Sequence, residues 1–550
     1  RPLAFTKTWA MLASSIVAVT EFPVLMFWFV RGRIRSEERH PVSRALRAVY
    51  EPLLDLVLRF RWPVLLVAAA AVLSLIIPLQ QIGSEFMPPL WEGDLLYMPT
   101  TFPGISITKA KELLQQTDKI IASFPEVESV LGKVGRAETA TDPAPLSMIE
   151  TTIVLKDPSQ WREGMTKDKL IRELDRAIQF PGLTNSWTMP IKTRIDMLST
   201  GIKTPVGIKI GGPDLVELER IAKEVEAAVR PLEGTRSAYA ERVMGGSYLD
   251  VEIDRMATSR HGLTVGDVQD VITTAIGGMN VSETVEGLER YPINVRYPRE
   301  LRDNVAALAE VAVPTPAGAH VPLGQLATLR IRQGPPMIKT EGARPNAWVY
   351  VDLKGSDVGS WIARAKEVVA EQVEVPEGYT VFWSGQYEYM QRARARLMMI
   401  VPITLFLILT ILYINTRSFT KTSIVLLAVP FSLIGAVWLI HLLGYNWSIA
   451  VWVGIIALAG LDAETGTVML LYLDLAYERW RKNGRMRNLA DLAGAVHEGA
   501  VQRIRPKAMT VTTTFIALLP ILWATGTGAD AVSYTHLTLP TTKAWWCGGG

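Results

Sequence analysis

Asp462 and Glu464 are two acidic residues near the middle of an apolar run, ALAGLDAETGTVMLLYLDL, at residues 457–475. A carboxylate at the centre of a membrane-spanning helix costs about 2.5–3.5 kcal/mol on insertion scales, so it is retained for a function. The basic residue that would pair with Glu464 is Lys507, in RIRPKAMTVTTTF. A Glu464–Lys507 pair in a low dielectric either exchanges a proton or forms a structural ion pair, and the sequence leaves both roles open.

The two acids cannot share one face of a helix, because two residues subtend about 200° around the axis. Glu464 shares its face with Gly460 and Val468, whose modest bulk would admit a neighbouring helix. We therefore expect one acid to point into a helix bundle and the other to meet a helix end or a polar cavity.

Methionine thioethers are the second group that could do chemistry. Most of the 18 methionines in the sequence are expected to fill gaps in cores. Four lie beside strand-like or helix-like segments of the polar region: Met98, Met148, Met189 and Met197. Thioethers without imidazoles or thiols select Cu(I) or Ag(I), because soft ligands prefer soft ions. These residues form no local motif, so spacing alone does not show that they converge.

The composition indicates a membrane protein with a sizeable polar part. The chain has 550 residues, 49% of them hydrophobic and 20% charged. A net charge of +3 gives no argument for nucleic acid, and six histidines with one cysteine exclude a dense His/Cys zinc site. GxSxG, HExxH and a cysteine nucleophile are absent from the polar region, and its histidines, His261 and His320, are far apart, which argues against a membrane enzyme.

Six apolar segments are long enough to span a bilayer. They lie near residues 7–30, 62–82, 397–415, 420–443, 447–473 and 508–525. Basic residues crowd the connections after the first, third and fifth segments, so the positive-inside rule places those connections in the cytoplasm. The polar stretch 83–396 then lies on the opposite side, the periplasm of a bacterium. The charged segment 479–503 is predicted to be a separate amphipathic helix on the cytoplasmic surface.

The polar stretch alternates between strand and helix patterns. DLLYMPTTF and MIETTIVLK have strand composition, with the helical pattern ITKAKELLQQTDKIIASF between them. A second βαβ pattern consists of the strand-like VGIKIGG, a helical segment and the strand-like SYLDVEID. A third consists of the strand-like AWVYVDLKG, a helical segment and the strand-like YTVFWSG. We therefore predict small α/β sandwich subdomains rather than one large sheet.

Six sequence motifs stand out along the chain: EFMPPLWEGDLLYMPTT, GRAETATDPAP, RIDMLSTGIKTPVGIKI, GLERYPINVRYPRELRDN, ALAGLDAETG and VQRIRPKAMTV. Together they resemble the heavy-metal efflux branch of the RND (resistance–nodulation–division) transporters. Within that branch the chain is most similar to the Cus/Sil-type copper and silver pumps, over residues 1 to about 530. The resemblance implies a fold of twelve spanning helices in two repeats, of which this chain matches helices six to eleven.

The resemblance also implies roles for particular residues. The family's Cu(I)/Ag(I) ligands correspond to Met98, Met148 and Met197. Charged residues around the family's metal cleft correspond to Asp142, Glu150, Arg194 and Lys203. Its proton relay corresponds to Glu464 and Lys507, while a third member, an aspartate in helix four, has no counterpart in this chain.

Three departures from the family pattern limit this transfer. Met189 stands where proline is found in the copper pumps, and it is either a fourth thioether or a packing residue, with packing slightly favoured. Asp462 stands where those pumps have a small residue, so we expect it to tune the relay rather than replace Glu464. The segment 531–550 resembles no family sequence and reads as a non-native tail.

We therefore expect a fragment of a proton-driven Cu(I)/Ag(I) exporter, a secondary transporter without a cofactor. Its predicted parts are a two-helix unit (1–82), a periplasmic α/β domain (83–396), a four-helix unit (397–530) and the tail (531–550). The full-length pump would be a homotrimer in a Gram-negative inner membrane, docked to a periplasmic adaptor and an outer-membrane channel. The alternatives are export of zinc, cobalt or cadmium, or of a hydrophobic compound. A receptor that only binds a partner is disfavoured, because it gains nothing from a buried acid.

Overall fold

A computed structural model describes residues 2–29, 41–87, 91–135, 144–355 and 357–522. The N-terminal apolar segments form helices. Apolar side chains dominate α1 and α3, while α2 is an amphipathic helix formed by part of the basic connection. The four helices are α1 (Pro2–Phe29), α2 (Pro41–Arg59), α3 (Arg61–Leu73) and α4 (Ile76–Gln81).

The first α/β subdomain is a four-stranded antiparallel sheet with two helices on one face. Its elements are β1 (Leu95–Tyr97), α5 (Ile107–Ala122), β2 (Val127–Val134), β3 (Ile149–Leu155), α6 (Lys167–Ala177) and β4 (Trp187–Thr188). The strand order is β2-β3-β1-β4, so each βαβ unit is split by a strand of the other, as in ferredoxin-like folds. Alternate residues of β3 are buried, and Leu95, Tyr97 and Ile153 pack against Leu170 and Leu174 of α6.

Helix α7 (Pro190–Thr200) then leads into a second subdomain of the same topology. Its elements are β5 (Val206–Gly211), α8 (Leu215–Val229), β6 (Thr235–Ala240), and, after an insertion, β13 (Lys339–Glu341), β14 (Arg344–Leu353), α13 (Val358–Gln372) and β15 (Thr380–Gly385). The strand order is β13-β14-β5-β15, and β6 also pairs with β14. Two subdomains of this kind fit the predicted α/β sandwiches.

The last segment of the second βαβ pattern forms a strand, but that strand belongs to another sheet. Residues 247–253 of SYLDVEID lie in β7 (Gly246–Ile253), which pairs with β12 (Ala327–Gly334) outside this sheet. The strand that closes the unit is β6, whose sequence TRSAYA has a single β-branched residue, Thr235. A strand with so few β-branched residues gives a weak sequence signal.

The insertion between β6 and β13 has a small core of its own, which includes Val268, Leu308, Val313 and Leu323. Besides β7 and β12 it holds α9 (Arg255–Arg260), α10 (Val265–Val271), β8 (Met279–Glu286), β9 (Glu289–Val295), α11 (Val305–Ala309), β10 (Ala312–Pro314), β11 (His320–Pro322) and α12 (Leu323–Leu326).

Four long helices complete the described chain: α14 (Gln386–Thr416), α15 (Phe419–Leu442), α16 (Ile449–Lys482) and α17 (Leu489–Leu522). The prediction of a separate surface helix at 479–503 was wrong. Those residues form the end of α16, a turn and the start of α17, because Gly484 adopts a positive φ of 67° that ends the first helix.

Within the described ranges, five helices are long and apolar enough to cross a membrane. They are Thr8–Phe29, Arg61–Gln81, Gln386–Thr416, Phe419–Leu442 and Ile449–Lys482, which coincide with the first five predicted segments. The sixth predicted segment, 508–525, begins in α17, and its residues 523–525 lie outside the described residues, as does the tail 531–550.

Candidate functional site

Met98 directly follows β1 and is almost completely buried, with 1% of its surface exposed. Its backbone N–H donates to the Ser186 carbonyl oxygen at 2.9 Å, which continues the β1–β4 pairing. Tyr97 belongs to the helix-covered core, and successive strand residues point to opposite faces. The Met98 side chain therefore points to the other face of the sheet, away from α5 and α6.

Met148 lies beside this strand because Thr100 and Met148 form an antiparallel bridge. Thr100 is two residues after Met98, so the two methionine-bearing segments are immediate neighbours through their backbones. Met148 is half-buried. The structure thus brings together two of the three methionines that the resemblance assigns to the metal.

Helix α7 carries Met197 and is attached to the Met148 strand through Glu150. The Glu150 carboxylate lies 3.6 Å from Arg194 of α7 and 3.1 Å from Lys133. Arg194 and Met197 are three residues apart and share a helix face. Because the Arg194 side chain is 72% exposed, this ion pair stabilises the fold little, and its contribution is to orient α7.

Lys203 links Met98 to the second subdomain. Its Nζ donates to the Met98 carbonyl oxygen at 3.0 Å and to Thr100 Oγ1 at 2.5 Å, and it lies 5.5 Å from the centre of the Tyr350 ring. Burial lowers the pKa of the Lys203 amine to about 7; the nearby Lys339 charge lowers it further, and Glu241 opposes both effects. A buried lysine amine therefore lies directly behind the methionine strand.

Met189 lies at the other end of α7 from Met197, where it precedes the first helical residue. Eight residues separate the two methionines, which corresponds to about 12 Å along a helix. Met189 is half-buried, and its carbonyl oxygen accepts from the Thr193 N–H at 3.0 Å. Asp142, the remaining charged residue assigned to the cleft, lies outside the described residues.

Glu92 is a positioning residue that sequence reasoning missed. Its carboxylate accepts from the backbone N–H groups of Ile191 and Lys192, both at 2.7 Å, and so caps the N-terminus of α7. A helix N-terminus attracts an anion, and Pro190 at the first position signals such an end. About 100 residues separate the partners in sequence, so no local pattern identifies the acid.

The described residues hold no group of three or more His, Cys, Asp or Glu side chains placed to bind a metal. A site for zinc-like ions built from those ligands is therefore not found in this part of the chain. The thioether set is the arrangement that could hold a soft cation.

The acidic residues of the apolar run lie on α16, which packs antiparallel against α17. Glu498 of α17 bonds to Arg479 at 2.7 Å and to Trp480 at 2.6 Å, and the Arg503 guanidinium lies 5.7 Å from the Tyr472 ring centre. Extending this register places Lys507 within about one turn of the level of Glu464.

The described residues show no ion pair of 4.0 Å or less between Glu464 and Lys507, so the direct pair considered above is not formed in this structure. The pair is not formed because Glu464 lies on a face of α16 that does not point to α17. Glu464 is eight residues from Tyr472, which contacts α17, so the two side chains differ by about 80° around the α16 axis. It is also about 200° from Gly466, which faces Val425 of α15. Glu464 is accordingly exposed on the side of α16 turned away from both neighbours.

Asp462 lies on the opposite side of α16, about 80° from Tyr472 in the direction of α15. It is half-buried, whereas Glu464 is exposed. The structure therefore separates the two acids as their spacing predicts, with Asp462 towards the described helix bundle.

The chain belongs to the AcrB/AcrD/AcrF family of RND transporters, which its residues 1–533 match. It is 47% identical over 534 residues to the cation efflux system protein CusA of Escherichia coli K12, and 47% identical to the putative cation efflux system protein SilA of Salmonella typhimurium. Each alignment covers 97% of this chain and 51% of the relative. The cobalt-zinc-cadmium resistance protein CzcA of Cupriavidus metallidurans is 33% identical, over 96% of this chain and 50% of that protein.

A crystal structure of a heavy metal efflux pump has the same fold. The TM-score is 0.83 with 28% identity, over 92% of this chain and 51% of that chain. The chain thus spans about half the length of the relatives it matches. These similarities place the chain in a family of transporters, and the relatives compared are efflux or resistance proteins by name.

Proposed function

We propose that the pump to which this half belongs exports Cu(I) or Ag(I), with Met98, Met148 and Met197 as the ligands. The observation that carries this proposal is the Thr100–Met148 bridge, which sets the segments of Met98 and Met148 side by side. The Glu150–Arg194 contact brings the Met197 face of α7 to the same strand. Thioethers prefer soft monovalent cations, and the greater identity to CusA and SilA than to CzcA favours copper and silver over zinc, cobalt and cadmium.

Proton flow would drive this export through Glu464 and Lys507. Glu464 lies exposed on a spanning helix, where a carboxylate is costly without a function. The exposed face of Glu464 would meet another helix of the pump that carries an acidic residue. Lys507 of the adjacent α17 lies near the level of Glu464 along α16. Protonation and release at this acid would then accompany each transport cycle, with Asp462 tuning the relay from the α15 side.

Family membership supports the wider assembly. We infer a homotrimer in the inner membrane of a Gram-negative bacterium, with the α/β subdomains in the periplasm, a periplasmic adaptor and an outer-membrane channel. The large polar region lies between two groups of apolar helices, as a periplasmic region requires. No nucleic acid takes part.

Cu(I) binding tests the site directly. We would measure the Cu(I) affinity of the whole chain in detergent by competition with a chromophoric chelator, and compare Met148→Ile with Met165→Ile. Met165 is half-buried, like Met148, and packs against the helix-covered core of the same subdomain, so it controls for the loss of a half-buried methionine. The proposal requires one bound ion and a loss of affinity of about tenfold or more for Met148→Ile alone. Equal affinities for both variants, or binding of Zn(II) in place of Cu(I), would refute it.

A further inference from the structure

Tyr389 joins the methionine-bearing helix α7 to a spanning helix. Tyr389 lies in the first turn of α14, and its hydroxyl is hydrogen-bonded to Ser199 Oγ, two residues after Met197. Ser199 Oγ also lies 2.5 Å from the Ile195 carbonyl oxygen. Replacing the Tyr389 hydroxyl with hydrogen would remove its contact with Ser199.

The Tyr389 ring also contacts the segment 83–86, which follows α4. The ring centres of Phe86 and Tyr389 are 4.9 Å apart. The Phe86 carbonyl oxygen accepts from the N–H of Ile449, the first residue of α16, at 3.1 Å. A continuous path of contacts thus runs from α7 through Tyr389 and Phe86 to the helix that carries Glu464.

The segment 83–86 is held firmly at this position. The Trp447 N–H donates to the Gly83 carbonyl oxygen and the Glu85 N–H donates to the Trp447 carbonyl oxygen, both at 2.8 Å. On the other side, the Ser84 N–H donates to Asp357 Oδ1 at 2.8 Å, which fixes the segment to the start of α13. A segment tied to both α13 and α16 would carry a displacement from one element to the other, because its hydrogen bonds resist local rearrangement.

We propose that Tyr389 is a positioning residue that couples the placement of Met197 on α7 to the N-terminal end of α16 and hence to the state of Glu464. This inference rests on the proposed function, in which Met197 binds the ion and Glu464 carries the proton. Metal binding would draw α7 towards Met98 and Met148, and the Ser199–Tyr389 bond would carry that shift to Phe86. Because linkage is reciprocal, protonation of Glu464 would change the metal affinity by the same factor by which bound metal changes the proton affinity of Glu464.

A double-mutant cycle tests the coupling. The Cu(I) affinity of the whole chain in lipid nanodiscs would be measured for the wild type, Glu464→Gln, Tyr389→Phe and the double variant. We expect Glu464→Gln to change the affinity about fivefold with Tyr389 present and less than about twofold in the double variant. Tyr389→Phe retains the ring against Phe86, so it isolates the hydroxyl.

Tyr387→Phe is the matched control. Tyr387 lies two residues earlier, and its hydroxyl bonds to Lys366 at 2.8 Å rather than to α7. Glu464→Gln should have its full effect in this background. An effect that survives Tyr389→Phe, or disappears equally with Tyr387→Phe, would overturn the assignment to Tyr389.

Hydrogen–deuterium exchange supplies a second measurement that needs no metal. We expect Glu464→Gln to change the exchange rates of amides in residues 190–201 about threefold or more, and Tyr389→Phe to abolish the change. Amide exchange rates in α7 that are the same in the wild type and in Glu464→Gln would overturn the coupling. Failure of the wild type to bind Cu(I) would refute the proposed function alone, and the exchange result would then decide on Tyr389.

Discussion

Lys203 Nζ lies 3.0 Å from the Met98 carbonyl oxygen, and this contact joins two subdomains across 105 residues of sequence. The lysine is 8% exposed and donates its second bond to Thr100, the residue that pairs with Met148. One buried side chain thus fixes the relative placement of both methionine segments. The Tyr350 ring lies against the other side of the Lys203 side chain and restricts its movement.

The pH dependence of stability should report on Lys203. Its pKa is about 7 in the folded protein and about 10.5 when unfolded, so the unfolded state binds more protons between these values. The free energy of unfolding should therefore rise with pH in this window, by about 1–2 kcal/mol between pH 7 and 8.5. Urea unfolding of wild type and Lys203→Leu, followed by tryptophan fluorescence, measures the difference. A rise of equal size in both proteins would contradict the prediction, and Lys109→Leu, an exposed position, should behave as wild type.

Gly201→Ala should detach the end of α7. Gly201 has φ +77°, and an added Cβ would lie 2.5 Å from the Trp348 ring. We expect a loss of stability of about 1–3 kcal/mol and a weaker Cu(I) affinity, because the clash displaces the helix that holds Met197. Gly164→Ala is the control, since Gly164 has φ +68° with no atom within 4 Å of the added Cβ. If both variants bind Cu(I) equally well, the position of α7 does not determine the affinity.

Met197 and Met189 should differ as metal ligands although they flank the same helix. We expect Met197→Ile to weaken Cu(I) binding by about tenfold or more and Met189→Ile by less than about twofold, because the two lie about 12 Å apart along α7. Chelator competition on the whole chain measures both. Equal losses would make Met189 a fourth thioether.

Glu464 and Asp462 should contribute unequally to proton coupling in the intact pump. Glu464→Gln should reduce pH-driven metal transport into inside-out vesicles to background, since an amide cannot carry the proton. Asp462→Asn should retain measurable transport, because Asp462 lies towards α15 and not on the exposed face of α16. The opposite ranking would assign the relay to Asp462.

Much of the architecture is predictable from local sequence. Among the described residues, the five helices long and apolar enough to cross a membrane follow from hydropathy over some 20 residues, and the α/β subdomains follow from alternating strand and helix periods. β6 was missed because its sequence TRSAYA has only one β-branched residue, which gives a weak strand signal. The helix predicted at 479–503 was wrong because the turn at Gly484 interrupts a continuous helical pattern.

The residue types that could do chemistry are evident without a structure: soft thioethers in the polar region, two acids and a lysine in apolar helices, and no dense His/Cys set. Their spatial neighbours depend on the fold. The Thr100–Met148 bridge, the Glu150–Arg194 contact and the Glu92 cap join residues tens of positions apart, because strand register and helix placement depend on the packing of whole subdomains. The same holds for Glu464 and Lys507, whose levels follow from the α16–α17 register but whose separation is set by the face that each helix turns to its neighbours.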